Sequence, residues 1–140
     1  MGIGHYMRQN RWYDTAILVV FVLALAGATV NHLVDQVRHG WFPYADLYGA
    51  PQAFNLYWTS LTFLDAFAVL ALCFHVRAGW GMALGILLTD VPINLYATLH
   101  IWKLNVIEND ALLMQSAFLA FLLVMSRRIW RLTRPGNQAS

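Results

Sequence analysis

Four long apolar runs alternate with short polar segments along this chain. The runs cover about 14–34, 57–77, 80–101 and 111–130. Each is close to the roughly 20 residues with which a helix crosses about 30 Å of hydrocarbon. The pattern therefore predicts an all-α polytopic membrane protein, a bundle of four transmembrane helices.

The segments outside these runs leave little material for a second domain. The longest, 35–56, contains Gly, Pro and aromatic residues and predicts an outer loop on the membrane surface. A polar tail, 131–140, follows the last run. Because 59% of the 140 residues are hydrophobic and only 11% are charged, the composition is typical of a membrane protein. We expect a single membrane domain over 1–140.

Basic residues fall almost entirely on one side of the predicted bundle. Two of the nine Lys and Arg residues, Arg38 and Lys103, lie on the opposite side. The others are Arg8, Arg11, Arg77, Arg127, Arg128, Arg131 and Arg134. Because loops on the cytoplasmic side carry the excess of basic residues, we predict cytoplasmic N and C termini, in the cytoplasmic (inner) membrane of a bacterium. The arginines then determine topology, and no nucleic-acid partner is expected.

Two aspartates, Asp65 and Asp90, lie inside the second and third apolar runs. Counted from a turn at 77–79, both are expected at about the same depth, roughly 16–18 Å from the turn. An ionisable side chain in hydrocarbon is costly and is by default a candidate functional residue. If the two carboxylates face each other, they would share one proton and could act as an acid and a base.

Other polar residues within the runs lie at mid-depth or toward the outer end, whereas the inner half is almost wholly apolar. The candidate ligand-binding residues are Asn31, His32, Asp35, Thr62, Asn94, Tyr96, His100 and Gln115. Asn31 and His32 precede Asp35 by four and three residues, so the three share about one helix face. The gradient predicts a cavity that opens outward. The alternative is that these groups hydrogen-bond one another and only hold the bundle together.

Three further signals concern helix geometry. Gly81 and Gly85 form a G-x-x-x-G spacing that is typical of close helix packing. Pro92 lacks an N–H and predicts a kink in the third helix. Asp110 is a good N-cap residue and predicts the start of the fourth helix.

Metal and cofactor chemistry has little support in the sequence. The single cysteine, Cys73, excludes an intrachain disulfide and a thiolate cluster. The histidines lack the H-x-x-x-H and H-E-x-x-H spacings, and only His32 and His100 lie at matched depth for a haem. We expect no metal and no cofactor.

The sequence YWTS at 57–60, followed after four residues by Asp65, resembles the second helix of the EXPERA superfamily. The end of helix one, with His32, Asp35 and Gln36, is similar to the same family, as is a mid-helix polar residue in helix three. The superfamily consists of four-helix membrane proteins that include sterol isomerases and the sigma-2 receptor. The resemblance implies cytoplasmic termini and a cavity that contains a carboxylate.

The aspartate pair and the resemblance together predict a protein that binds an apolar or cationic lipid-like small molecule, with Asp65 and Asp90 as its charged centre. Isomerisation of that molecule, with the same two residues as catalytic acid and base, is a subordinate hypothesis. Two alternatives stay open, a small dimeric transporter or proton-coupled carrier and a non-catalytic membrane assembly partner. The expected partners are membrane lipids, a hydrophobic ligand and a second copy in a homodimer.

Overall fold

The computed structural model describes residues 3–40 and 49–132, except the side chains of 3–11, 39 and 132. The elements of this part of the chain are α1 (Ile3–His39), α2 (Gln52–Phe74), α3 (Val76–Tyr96), a π-helical turn (Ala97–Ile101), a 3-10 turn (Val106–Glu108) and α4 (Asp110–Leu132). All of them are helical, and each of the four long helices is long and apolar enough to cross a membrane. The predicted all-α, four-helix architecture is confirmed.

The helices extend beyond the predicted apolar runs. α1 continues to His39 and α2 already begins at Gln52, which shortens the predicted outer loop, 35–56, from both ends. Residues 41–48 of that loop, and 133–140 of the predicted tail, lie outside the described part of the chain. The difference arises because hydropathy marks the residues that lipid would surround, whereas backbone hydrogen bonds continue a helix until a residue stops it.

Local interactions set two of these helix ends. Gly40 has a left-handed φ of 105° and donates its N–H to the carbonyl of Gln36 at 2.9 Å, a helix C-terminal geometry that favours glycine. At the start of α4, the Asn109 side-chain oxygen accepts the N–H of Leu112 at 3.1 Å. Asn109 is therefore the N-cap residue. The prediction that assigned this role to Asp110, which is the first helical residue, is wrong by one position.

The turn between α2 and α3 consists of one residue, His75, and this changes the relation between the two aspartates. Asp65 lies ten residues before His75, and Asp90 lies fifteen residues after it. In two antiparallel helices, this difference of five residues places Asp90 about 7–8 Å farther from the turn than Asp65. The expectation of equal depth assumed a turn at 77–79 and is wrong.

Gly79, rather than Gly81 or Gly85, permits the close approach of α2 and α3. A Cβ on Gly79 would lie 2.7 Å from the Cα of Leu72 and would also collide with the Leu72 backbone nitrogen. A Cβ on Gly81 or Gly85 would meet no atom within 4 Å. The G-x-x-x-G pair therefore does not mediate helix packing within the described chain.

An apolar core fills the end of the bundle nearest the α2–α3 turn, which we call the inner end. Phe21 of α1 is fully buried, with its ring centroid 4.3 Å from Trp80 and 5.2 Å from Phe121. At the same end, Arg128 Nε donates to Asp14 Oδ1 at 2.6 Å and joins α4 to α1. The polar side chains predicted as a site lie at mid-bundle or toward the opposite, outer end.

Candidate functional site

The polar side chains form two clusters on either side of α2. The Asn94 network joins α2, α3 and α4 and consists of Trp58, Asp90, Asn94 and Gln115. The Asp65 seam lies between α1 and α2 and consists of His32, Gln36, Asn55, Thr59, Thr62 and Asp65. Both clusters draw on α2, because that helix packs between α1 and α3.

Asn94 is the centre of the first cluster. Its Nδ2 donates to Asp90 Oδ1 and to Gln115 Oε1, both at 2.9 Å. Its Oδ1 accepts the indole N–H of Trp58 at 2.9 Å. Asp90 is 3% exposed, so this amide supplies a hydrogen bond to a carboxylate that water scarcely reaches. Asp90 and Asn94, four residues apart, lie on one face of α3, and the network connects this face to α2 and α4.

A π-helical turn follows α3 three residues beyond Asn94, and the kink at Pro92 stays a prediction. The helix continues through Pro92, and the π-helical turn follows at Ala97–Ile101. Thr98, in that turn, donates to the carbonyl of Asn94 at 2.6 Å and accepts from Asn109 Nδ2 at 2.8 Å. Such widened turns occur frequently at functional sites. Here the turn connects the Asn94 network to the start of α4.

Asp65 is also 3% exposed, but its carboxylate has fewer partners than that of Asp90. Nε2 of His32 lies 3.8 Å from Asp65 Oδ2, which is beyond ordinary hydrogen-bond distance. Among the described residues, none donates a hydrogen bond to this carboxylate. The Asp65 carboxylate therefore keeps most of its capacity to accept hydrogen bonds.

Gln36 connects α1 to the turn of α2 that precedes Asp65. Its Nε2 donates to Thr62 Oγ1 at 2.7 Å and to the carbonyl of Thr59 at 3.3 Å, and Gln36 is 0% exposed. Sequence reasoning placed Thr62 in the site but did not select Gln36. The signal was present, since Gln36 follows His32 by four residues and so shares its helix face.

Both aspartates are buried, and they do not bond to each other. The hydroxyl of Tyr57, in α2, lies 2.9 Å from Oγ1 of Thr89, the residue that precedes Asp90 in α3. Within the described chain, no hydrogen bond joins the two carboxylates. The arrangement is a pair of separate buried acids on adjacent helices, rather than a hydrogen-bonded dyad.

Other predicted site residues lie apart from Asp65 and Asp90. Asn31 is exposed, and Asp35, three residues after His32 in α1, is partly exposed. Tyr96 is 53% exposed and its ring lies 4.7 Å from that of His100. Tyr96 and His100 therefore form an aromatic pair at the outer end, without a contact to either aspartate among the described residues.

The described residues contain no group of three His, Cys, Asp or Glu side chains that could hold a metal ion. No protein-family model matches the chain, and no curated protein or solved structure is significantly similar to it. The resemblance to the EXPERA superfamily thus depends on the sequence positions quoted above.

Proposed function

We propose that the chain is an integral membrane protein with four transmembrane helices and cytoplasmic N and C termini, in the cytoplasmic membrane of a bacterium. The length and apolarity of the four helices support insertion. Orientation is supported by the inner end, where Arg77 lies 4.4 Å from the ring of Trp130 and Arg127, Arg128 and Arg131 occupy the end of α4. Such clustering on one side is the pattern of a cytoplasmic surface.

Its proposed function is to bind an apolar or cationic lipid-like small molecule at the centre formed by Asp65 and Asp90. The observation that carries this proposal is the Asp65 carboxylate, which is 3% exposed and accepts no hydrogen bond from a described residue. Keeping such a group away from water is costly unless a donor or a cation satisfies it. A ligand that brings an ammonium or hydroxyl group would supply that partner.

The two aspartates have different parts in this proposal. Asp65 contacts the polar group of the ligand, and His32 and Asp35 border its approach. Asp90 keeps its hydrogen bond to Asn94 and contributes charge from the neighbouring helix. The Asn94 amide donates hydrogen bonds to both Asp90 and Gln115. We therefore expect removal of the Asp90 carboxylate to weaken the bundle more than it weakens the contact with the ligand.

Isomerisation of the bound molecule is a subordinate proposal, which rests on the EXPERA resemblance. Moving a carbon–carbon double bond requires that one proton is added to a carbon atom and another is removed from a second one. Two separate buried acids on adjacent helices, Asp65 and Asp90, could supply the acid and the base. A ligand must be identified before this chemistry can be assayed.

The experiment measures the thermal stability of the purified protein against a panel of lipids and hydrophobic amines. A ligand present at 100 times its dissociation constant stabilises the folded state by about 2.7 kcal/mol. We expect Asp65→Asn to abolish that stabilisation while nearly retaining the stability of the unliganded protein. Asp110→Asn is the matched control and should retain the response, because Asp110 is an exposed residue at the start of α4 and belongs to neither polar cluster.

Two outcomes would contradict the proposal. In the first, no member of the panel stabilises the parent protein. In the second, a ligand stabilises the parent and Asp65→Asn equally. Loss of unliganded stability in both Asp65→Asn and Asp90→Asn, without any ligand effect, would mean that the carboxylates only hold the bundle together.

A further inference from the structure

Two buried acceptors in the Asp65 seam lack hydrogen-bond partners among the described residues. They are Oε1 of Gln36, a residue that is 0% exposed, and Oδ1 of Asn55, a residue that is 3% exposed. Native proteins satisfy nearly all buried polar atoms, so each such atom calls for an explanation. Neither amide belongs to the Asn94 network or is needed for the proposed contact with Asp65.

The orientation of both amides follows from their neighbours. Gln36 Nε2 faces the carbonyl of Thr59, and Asn55 Nδ2 faces the carbonyl of Ala50, each at 3.3 Å. A carbonyl oxygen only accepts hydrogen bonds, so the amino group of each amide must lie on that side. The side-chain oxygen of each amide therefore points away from that carbonyl group, and each oxygen can still accept a hydrogen bond.

These acceptors lie in one continuous row that ends at Asp65. Asn55 is in the first turn of α2, and its carbonyl accepts the hydroxyl of Thr59 at 2.8 Å. Gln36 bridges Thr59 and Thr62, and Thr62 precedes Asp65 by three residues on the same helix face. The row runs about 15 Å along α2, from its outer end to the middle of the bundle.

We propose that the Asp65 seam is the route by which water, and with it protons, reaches Asp65 from the outer end of the bundle. Water donates hydrogen bonds, and it bridges polar groups that the protein leaves unsatisfied. The Gln36 and Asn55 oxygens are shielded in this structure, so water enters as α1 and α2 separate slightly. The charged and titratable groups around Asp65 are His32 and, through it, Asp35 from α1, Tyr57 from α2 and Asp90 from α3.

This inference rests on the proposed membrane insertion and orientation, and it concerns access to Asp65 rather than ligand binding. The inner end offers no comparable route among the described residues, because it is filled by the aromatic core around Phe21 and Trp80. Access is therefore expected from the extracytoplasmic side alone.

Cysteine labelling in intact cells tests the route. In a Cys73→Ser background, Thr62→Cys and Thr59→Cys each place a thiol in the seam. The control, Phe63→Cys, places a thiol at nearly the same depth on the exposed face of α2, where Phe63 is 55% exposed. The probe is a membrane-impermeant cationic methanethiosulfonate added outside. Because only a thiolate in contact with water reacts, we expect the seam cysteines to react about tenfold or more faster than Phe63→Cys.

A further substitution tests whether the seam's acceptors draw in the water. Gln36→Leu removes the unsatisfied oxygen at similar volume, and we expect it to slow the labelling of Thr62→Cys. Thr59→Cys supplies a second reporter if Thr62→Cys does not fold, since the Thr59 hydroxyl bonds only within its own helix.

The possible failures are distinguishable. Equal slow rates at Thr62→Cys, Thr59→Cys and Phe63→Cys would overturn the route while leaving membrane insertion intact. Rapid labelling of Phe63→Cys would contradict insertion itself, and with it the proposed function. Labelling of Thr62→Cys from the cytoplasmic side only, in inverted vesicles, would overturn the proposed direction of access.

Discussion

The central position of Asn94 leads to a quantitative prediction about bundle stability. One amide bonds to Trp58, Asp90 and Gln115 on three helices. Hydrogen bonds between transmembrane helices contribute about 0.6 kcal/mol on average and up to about 1.7 kcal/mol in double-mutant cycles. Asn94→Ala removes two of them, together with the bond to Asp90 within α3, so we expect it to lower the free energy of unfolding by roughly 1–3 kcal/mol.

A double-mutant cycle isolates one of these bonds. Trp58→Phe removes the indole N–H that donates to Asn94 Oδ1 at 2.9 Å and keeps an aromatic ring in a site that is 4% exposed. Combined with Asn94→Ala, it should show a coupling energy of about 0.6–1.7 kcal/mol. The free energy of unfolding is measured for the parent, both single variants and the double variant by denaturant titration in mixed micelles.

Trp80→Phe is the matched control for this cycle. The indole N–H of Trp80 donates to Ser126 Oγ at 3.0 Å in the inner core, away from Asn94. Its coupling with Asn94→Ala should be zero within error, because distant sites without shared partners act additively. Zero coupling for the Trp58 pair, or an equal coupling for both tryptophans, would refute the assignment of Asn94 as the residue that joins the three helices.

Two further predictions concern the α2–α3 turn and the connection before α4. Gly79→Ala places a Cβ against the Leu72 backbone and should destabilise the protein by about 1–3 kcal/mol. Gly85→Ala is the control, because its Cβ meets no neighbour within 4 Å, and it should be neutral or stabilising by up to about 1 kcal/mol. Equal thermal stabilities of the two variants would contradict the contact between Gly79 and Leu72. Hydrogen bonds from the Asn105 side chain and backbone hold the pKa of Glu108 below its ordinary value of 4.5. The stabilisation from Glu108 should therefore be fully present above pH 4.5 and be lost as the pH falls through the lowered pKa. The stability difference between the parent and Glu108→Gln, measured from neutral to acid pH, should shrink over that range, and a difference independent of pH would show that the capping contact makes no contribution.

Much of the candidate site followed from local sequence, and the remainder depended on the packing between helices. The i, i+4 spacing of Asp90 and Asn94 was sufficient to place both on one face, because helix geometry is the same in any context. Nothing local indicates that Trp58 and Gln115 meet Asn94. These contacts depend on how α2 and α4 are rotated about their own axes.

The relative depth of the two aspartates illustrates the same limit. A shift of the turn from 77–79 to His75 moves each helix along the other by a few residues, and each residue displaces a side chain by about 1.5 Å. Hydropathy could not detect this shift, because His75 and Arg77 are both polar and either could mark the end of the second apolar run. The close contact of Gly79 with Leu72 accompanies this register.

The sequence by itself determined that the chain forms four long apolar helices, and that the polar side chains within the apolar runs lie at mid-depth or toward the outer end. Both properties follow from the order of residues along the chain. The tertiary structure alone decided that Trp58 and Gln115 meet Asn94, and that Asp65 lies in a seam beside His32 and Gln36. The physical reason is that hydropathy and helix spacing are properties of nearby residues, whereas contacts between side chains on different helices depend on the rotation and register of helices that meet only in the folded protein.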